Sequence, residues 1–468
     1  MLFNSLEFVL FFIFITTSYF LLPYRFRWIL LLGASCYFYM AFVPIYILIL
    51  GGTIFVDYFA GIYLEETLGK KKKIYLIASL VANIGVLCVF KYYNFLNDNL
   101  TALLHGAGYK NPIPYLSILL PIGLSFHTFQ AMSYTIEVYR GNQKAERNFG
   151  IYALYVMFYP QLVAGPIERP QNLLHQFYEK HNFDLDRVSN GIRQMLFGFI
   201  KKLVIADRLS LYVDAVYSNS ASESGQTLAI ATVFFAIQIY CDFSGYSDIA
   251  IGAAKVMGFN LMKNFNRPYF SSSISEFWRR WHISLSTWFK DYLFIPLGGS
   301  RVKTIVRKYS NILIVFVVSG LWHGANWTFV IWGALNGVFL MIESVIGVKK
   351  PKHLLQKVFQ TAITFILICI TWIFFRANSA AQSMDILTKI MHMQGPVYFG
   401  NPKDHFYYGL IFILLLLVYE FKEEFFPDTI PLLHNKYPAV RYTFYIISAA
   451  LLLLFGVFDG GQFIYFQF

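Results

Sequence analysis

Charge is scarce in this 468-residue chain: 14% of its residues are Asp, Glu, Lys or Arg, against about a quarter in an ordinary soluble domain. With 57% hydrophobic residues and a mean hydropathy of +0.51, the chain has too few polar groups to coat a globule, which excludes a soluble fold. Cysteine is scarce as well. Cys36, Cys88, Cys241 and Cys369 lie far apart in apolar segments without a CxxC spacing, so redox and thiolate-metal chemistry give way to small core residues. No HExxH-like ligand spacing and no GxSxG elbow occurs, which argues against a metal and against a serine hydrolase. No repeat period and no Ser/Gly/Pro-rich linker divides the chain. One membrane body over 1–468 is expected, with a short tail at 459–468.

Long apolar runs fill the space left by charge. A helix needs about 20 apolar residues to cross a bilayer core of ~30 Å. The clearest candidate spans are 8–22, 28–50, 74–90, 116–138, 226–240, 312–321, 329–346, 358–375, 408–419 and 442–457. Several are short or interrupted, and broken helices are tolerated where protein or a cavity surrounds them. The expectation is an all-α polytopic membrane protein with about 11–13 transmembrane or re-entrant elements. The first run lacks a basic leader and a cleavage pattern, so it is expected to be retained. The net charge of +12 reads as topology rather than nucleic-acid binding. Lysines 70–73, Arg279, Arg280, the cluster at 301–308, and Lys349, Lys350 and Lys352 mark cytoplasmic loops. Three crossings follow the last cluster, which places the C-terminus outside the cytoplasm.

Ionisable groups at membrane depth are costly and mark sites. They gather in 226–343, where Asp242, Asp248, Glu276, Arg279, Arg280, His282, Lys290 and Asp291, with the polar Asn326, interrupt apolar sequence. In 276–301, Trp278, Trp281, Leu285 and Trp288 recur at helical spacing opposite Arg279, His282, Ser286 and Lys290. This pattern describes an amphipathic helix, either interfacial or lining a cavity. In 241–259, Asp242, Ser244, Ser247 and Asp248 fall in a Gly-broken stretch that either lines a pocket or packs helices.

The sequence SGLWHGANW at 319–327 places His323 in an apolar setting, fifteen residues beyond Lys308. A helix would rise ~22 Å over that interval, well into the bilayer core. A neutral imidazole there can take a proton from a hydroxyl; the alternative is a structural histidine packed on Trp322 and Trp327. Gly324 would permit close approach of backbone or acyl chain.

Three motifs, CDFSGYSDIAIG, FWRRWHISLSTWFKDYLFIPLGGSR and SGLWHGANWTFVIWGALNG, together resemble the membrane-bound O-acyltransferase family. LVAGPIERP at 162–170 and the terminal FIYFQF extend the resemblance along the chain, and IPLGGSR is more similar to the branch of alginate and peptidoglycan O-acetylation. The resemblance implies a many-helix body around a central cavity in the bacterial cytoplasmic membrane. It implies acetyl-CoA as cytoplasmic acyl donor, no metal, and a cell-envelope polysaccharide as final acceptor. An extracytoplasmic SGNH-type acetyltransferase or an equivalent protein would be the partner. His323 matches the family's catalytic histidine and His282 the second motif residue, with Trp322, Asn326, Trp278, Arg279, Ser286, Asp291 and Asp242 as cavity-lining candidates. FIYFQF is similar to the C-terminal motif of the small partner in D-alanylation systems, and Tyr465 matches its acyl-carrying tyrosine; an interfacial aromatic anchor is the other reading. D-alanyl-type transfer to an envelope polymer, a transporter and a non-catalytic scaffold are the competing functions.

Overall fold

Where no water reaches the backbone, its N–H and C=O groups must pair within the segment, so spanning chain becomes helix. The computed structural model describes residues 1–117, 121–163, 165–426 and 437–458, and among them there are helices and no strands. Among the described residues, eight helical stretches are long and apolar enough to cross a membrane. The described residues divide into two compact units, one of Met1–Ile192 with Ala250–Met262, the other of Arg193–Ile249 with the described residues from Lys263 onward.

The first unit holds α1 (Leu6–Leu21), α2 (Tyr24–Met40), α3 (Tyr46–Glu66), α4 (Gly69–Leu87), α5 (Tyr93–Gly106), α6 (Leu124–Arg140) and α7 (Phe149–Met157). The expected span 28–50 is therefore two helices, because α2 ends at Met40 and α3 starts at Tyr46. Pro44 lies in the gap, and the residue before a proline disfavours helix. Helices α3, α4 and α6 pack together. Gly61 on α3 leaves room for Tyr134, whose hydroxyl would stand 2.7 Å from a Cβ at that position. Glu168 of the GPIERP segment is buried and accepts hydrogen bonds from the Met262 amide at 2.5 Å and the Asn172 side chain at 2.6 Å. That explains a carboxylate in an otherwise apolar turn.

Next come α8 (Leu185–Phe199), α9 (Asp207–Ser218) and the 33-residue α10 (Gly225–Met257). No span is expected over 185–218, and α10 runs seventeen residues past the end of the expected span 226–240. A π-helical turn, Ile200–Ala206, joins α8 to α9. The second unit continues with α11 (Ile274–Arg280), α12 (Ile283–Phe289), α13 (Ile305–His323), α14 (Trp327–Ile346), α15 (Leu354–Arg376), α16 (Ala380–His392), α17 (Asp404–Phe425) and α18 (Pro438–Phe455). Glycines set the α13–α14 contact. A Cβ at Gly320 would meet the Phe329 carbonyl oxygen at 2.2 Å, and one at Gly333 the Phe316 carbonyl oxygen at 2.2 Å, so only glycine admits this backbone approach.

Candidate active site

His323 is the last residue of α13. The chain then runs extended through Gly324 until Asn326 caps α14 by accepting from the Thr328 amide at 3.0 Å. This helix-break-helix keeps the imidazole 4% exposed. Ring centroids of Trp322, Trp332 and Phe375 lie 4.9, 5.0 and 5.4 Å from it. Trp327, expected with Trp322 as a packing partner of the histidine, is instead 56% exposed. It opens α14 and faces outward, while Trp332 comes back against the histidine. The room beside Gly324 is taken by Phe329, whose ring a Cβ would meet at 2.1 Å.

The expected amphipathic helix that begins at Glu276 is broken at His282, which lies between α11 and α12. His282 adopts φ +42°, in the left-handed region, which bulky residues enter only where surrounding structure holds them. The neighbouring loop supplies that hold. The Asn266 amide donates to the Arg280 carbonyl at 2.9 Å, and the Ile283 amide to the Asn264 carbonyl at 2.9 Å. Asn264 also accepts from the Ser284 hydroxyl at 2.9 Å and donates to Ser247 of α10 at 3.2 Å. The turn redirects His282 inward, away from Arg279 and Lys290, so these do not form one polar face. His282 is 1% exposed, with Phe243 at 4.5 Å, Phe265 at 6.4 Å and Trp322 at 6.1 Å between ring centroids. Burial pushes its imidazole down to about 3, which keeps it neutral.

Aromatic contacts close a circuit around both histidines. Trp281, next to His282, lies 5.1 Å from Trp372; Trp372 stacks on Trp332 at 6.0 Å; Trp332 reaches His323; and Trp322 touches both imidazoles. Trp278 joins through Trp332, at 5.7 Å. The structure thus brings His282, His323, Trp322 and Trp278 into one frame. Arg279 is exposed and donates to the Ser275 hydroxyl at 2.7 Å. Ser286 donates to the Trp281 carbonyl at 3.2 Å, and Asp291 lies in the π-helical turn Lys290–Phe294. Tyr465 and the tail 459–468 lie outside the described residues.

Sequence reasoning missed a buried ionic layer. Lys202 lies 2.7 Å from Asp207 and 2.7 Å from Asp242, and Lys201 lies 2.6 Å from Asp248. The π-helical turn allows two consecutive lysines to reach α10. Asp242 is thus an ion-pair partner. Helix α10 runs unbroken through Gly245, where a Cβ would meet the Gly198 carbonyl oxygen at 2.8 Å, so the small residues of this motif serve close packing. Glu420 of α17 accepts a hydrogen bond from Tyr240. Around Glu424 gather Arg267 at 2.9 Å, Arg280 at 3.0 Å and Lys357 at 3.4 Å. Among the described residues no group of three or more His, Cys, Asp or Glu is arranged to hold a metal.

Residues 143–381, which include both histidines, match the model of the membrane-bound O-acyltransferase family. A probable alginate O-acetylase from Pseudomonas aeruginosa is 41% identical over 363 residues, covering 77% of this chain and 69% of that protein. A peptidoglycan O-acetyltransferase from Helicobacter pylori is 34% identical, covering 79% of this chain and 74% of that protein. A teichoic acid D-alanyltransferase from Bacillus subtilis is 28% identical over 56% of this chain and 66% of that protein.

Proposed function

The chain belongs to the membrane-bound O-acyltransferase family, and from that premise we propose that it moves an acetyl group from cytoplasmic acetyl-CoA toward an extracytoplasmic polysaccharide. The acceptor class is an alginate-like exopolysaccharide or peptidoglycan, the polymers named for its relatives. The carrying observation is the pair of buried imidazoles sharing the Trp322 indole inside an aromatic frame. Such a site excludes water, which would otherwise hydrolyse an acyl thioester.

In this reading His323 takes the proton of an attacking hydroxyl as its oxygen bonds to the thioester carbonyl carbon. The tetrahedral oxyanion accepts a hydrogen bond from the neutral imidazole of His282. As the C–S bond breaks, the proton held by His323 passes to the departing CoA sulfur. Trp322 and Trp278 line the acyl path, and Ser286 and Asp291 border the same segment. Asn326 shapes the loop that carries His323, and Asp242 fixes α10 through Lys202. Arg279, exposed on α11, would pair with the phosphates of the donor.

The topology belongs to the same proposal. The protein sits in the bacterial cytoplasmic membrane, with Lys308 and the Glu424 cluster on the cytoplasmic side and the C-terminus outside. An extracytoplasmic SGNH-type transferase or equivalent receives the acetyl group, with Tyr465 as the intermediate carrier. The aryl ester formed on Tyr465 would lose its acetyl group to a partner nucleophile, returning the phenol.

Purified protein in lipid nanodiscs, given acetyl-CoA labelled in the acetyl group, tests this reading. Label transfer or release by the native chain, lost in His323→Ala, is the expected result. Equal behaviour of the two would favour a transporter or scaffold. Tyr465→Phe, which keeps the ring and removes the oxygen, is expected to stop delivery to the partner; near-native delivery would leave Tyr465 an anchor.

A further inference from the structure

Asp57 lies about 16 Å along α3 from Tyr46 and about 14 Å from Glu66, so it occupies the middle of a helix long enough to span the bilayer. It is 0% exposed. The Ser79 hydroxyl donates to its Oδ1 at 2.6 Å, and the Asn83 amide lies 2.9 and 2.8 Å from its two oxygens. Thr135 of α6 stands 3.1 Å from Ser79. The Tyr152 phenol of α7 lies within electrostatic reach of Asp57, and its ring contacts Tyr134 of α6 and Tyr155 of α7. Among the described residues no Lys, Arg or His pairs with this carboxylate, unlike Asp207, Asp242 and Asp248, which each face a lysine.

A carboxylate at mid-membrane depth without a cation is not a stable arrangement, and two or three neutral donors do not replace a counter-charge. Asn83 Oδ1 and the Tyr152 hydroxyl are also buried without a hydrogen-bond partner among the described residues, so two oxygens close to the carboxylate have unused lone pairs. Turning the Asn83 amide over would set its oxygen against the carboxyl group, where it could accept from an acid proton or ligate a hard cation. We propose that Asp57, Ser79, Asn83 and Thr135 form a binding site for one small monovalent cation, a proton or a sodium ion, inside the first unit. In the protonated form one Asp57 oxygen carries the hydrogen and donates to Asn83 Oδ1, while the other accepts from Ser79. In the sodium form the carboxylate, both hydroxyls and the amide oxygen are the ligands. This site stands apart from the acyl-transfer reading and does not depend on it.

The test uses the full chain in lipid nanodiscs, with infrared spectra and thermal midpoints of native protein and Asp57→Asn at neutral pH. Sodium is exchanged for choline at fixed ionic strength. A bound proton gives a carboxylic-acid carbonyl band that Asp57→Asn loses and sodium does not affect. A bound sodium gives no such band but a midpoint that rises with sodium in the native protein alone. Identical acid bands and identical sodium responses in the two proteins would overturn the site. Should Asp57→Asn fail to assemble, Ser79→Ala keeps the acid and removes one donor. It must then shift the acid band or weaken the sodium response, and no change in either overturns the proposal.

Discussion

His282 and Trp322 stand ring to ring at 6.1 Å, and because Trp322 directly precedes His323, one indole connects two histidines that lie forty-one residues apart in sequence. One comes from a strained turn and the other from a helix end. The turn is held by Asn264 and Asn266, and the helix end by the close α13–α14 contact, so each imidazole is positioned by packing rather than by its own rotamer freedom. In the proposed reaction, a base and a hydrogen-bond donor fixed in this way would meet the requirement of transition-state electrostatics, which is prior orientation.

His282→Ala is expected to impair transfer, and its kinetic signature separates two roles. An oxyanion contact lowers kcat and kcat/KM equally, whereas lost donor binding raises KM at unchanged kcat. Native values for both would remove His282 from the site. For His323→Ala the expected loss is about 100-fold or more, the usual contribution of a general base, with normal yield in membranes.

Burial of His282 also makes stability depend on pH. The unfolded chain binds a proton to this ring below about 6.5, but the folded protein does so only below about 3. Between those values the unfolded state holds the extra proton, so stability is complete above about pH 6.5 and declines as pH falls toward 3. Thermal midpoints over that window should fall less steeply for His282→Asn than for the native chain. Parallel slopes would mean that other groups govern the acid response.

Lys202 is 1% exposed and bridges two buried carboxylates at 2.7 Å each. Lys202→Met should therefore destabilise by about 3–5 kcal/mol, since it removes the cation that the buried Asp207 and Asp242 share. Adding Asp207→Asn and Asp242→Asn should restore most of the thermal midpoint in detergent. A single mutant as stable as the native protein would show that water reaches this layer.

The same lysines show where sequence stops being legible. His323 could be placed from Lys308 because α13 is one regular helix, and distance along a helix is calculable. His282 could be recognised but not oriented, since the turn depends on Asn264 and Asn266, which come from a separate loop. Lys201 and Lys202 follow an apolar run and look like one more charged helix end; only the π-helical turn brings both inward. Asp57 is the one charged residue over 46–64, and its partners, Ser79, Asn83 and Thr135, come from two other helices. Pro44 was an available signal for the break between α2 and α3. Nothing local in Trp327 and Trp332 says which of the two faces the histidine, because that follows from where α14 begins.

Gly320 and Gly324 offer the sharpest separation of folding from function. At Gly320 an added Cβ would meet the Phe329 carbonyl oxygen at 2.2 Å, whereas at Gly324 it would meet the Phe329 ring at 2.1 Å. Backbone cannot yield without moving α14, but a ring can rotate. Gly324 has φ −160°, an extended conformation open to any residue, so alanine there adds no backbone strain. Gly320→Ala should cost about 1–3 kcal/mol through overpacking and lower the thermal midpoint. Gly324→Ala should keep most of its stability but displace Phe329, whose ring lies 5.0 Å from Phe375, itself 5.4 Å from His323. Its acyl-transfer rate should therefore fall by more than its midpoint change accounts for, and Phe329→Leu in the same chain should recover part of that rate by making room. Native activity in Gly324→Ala would show that the Phe329 and Phe375 wall does not position the imidazole.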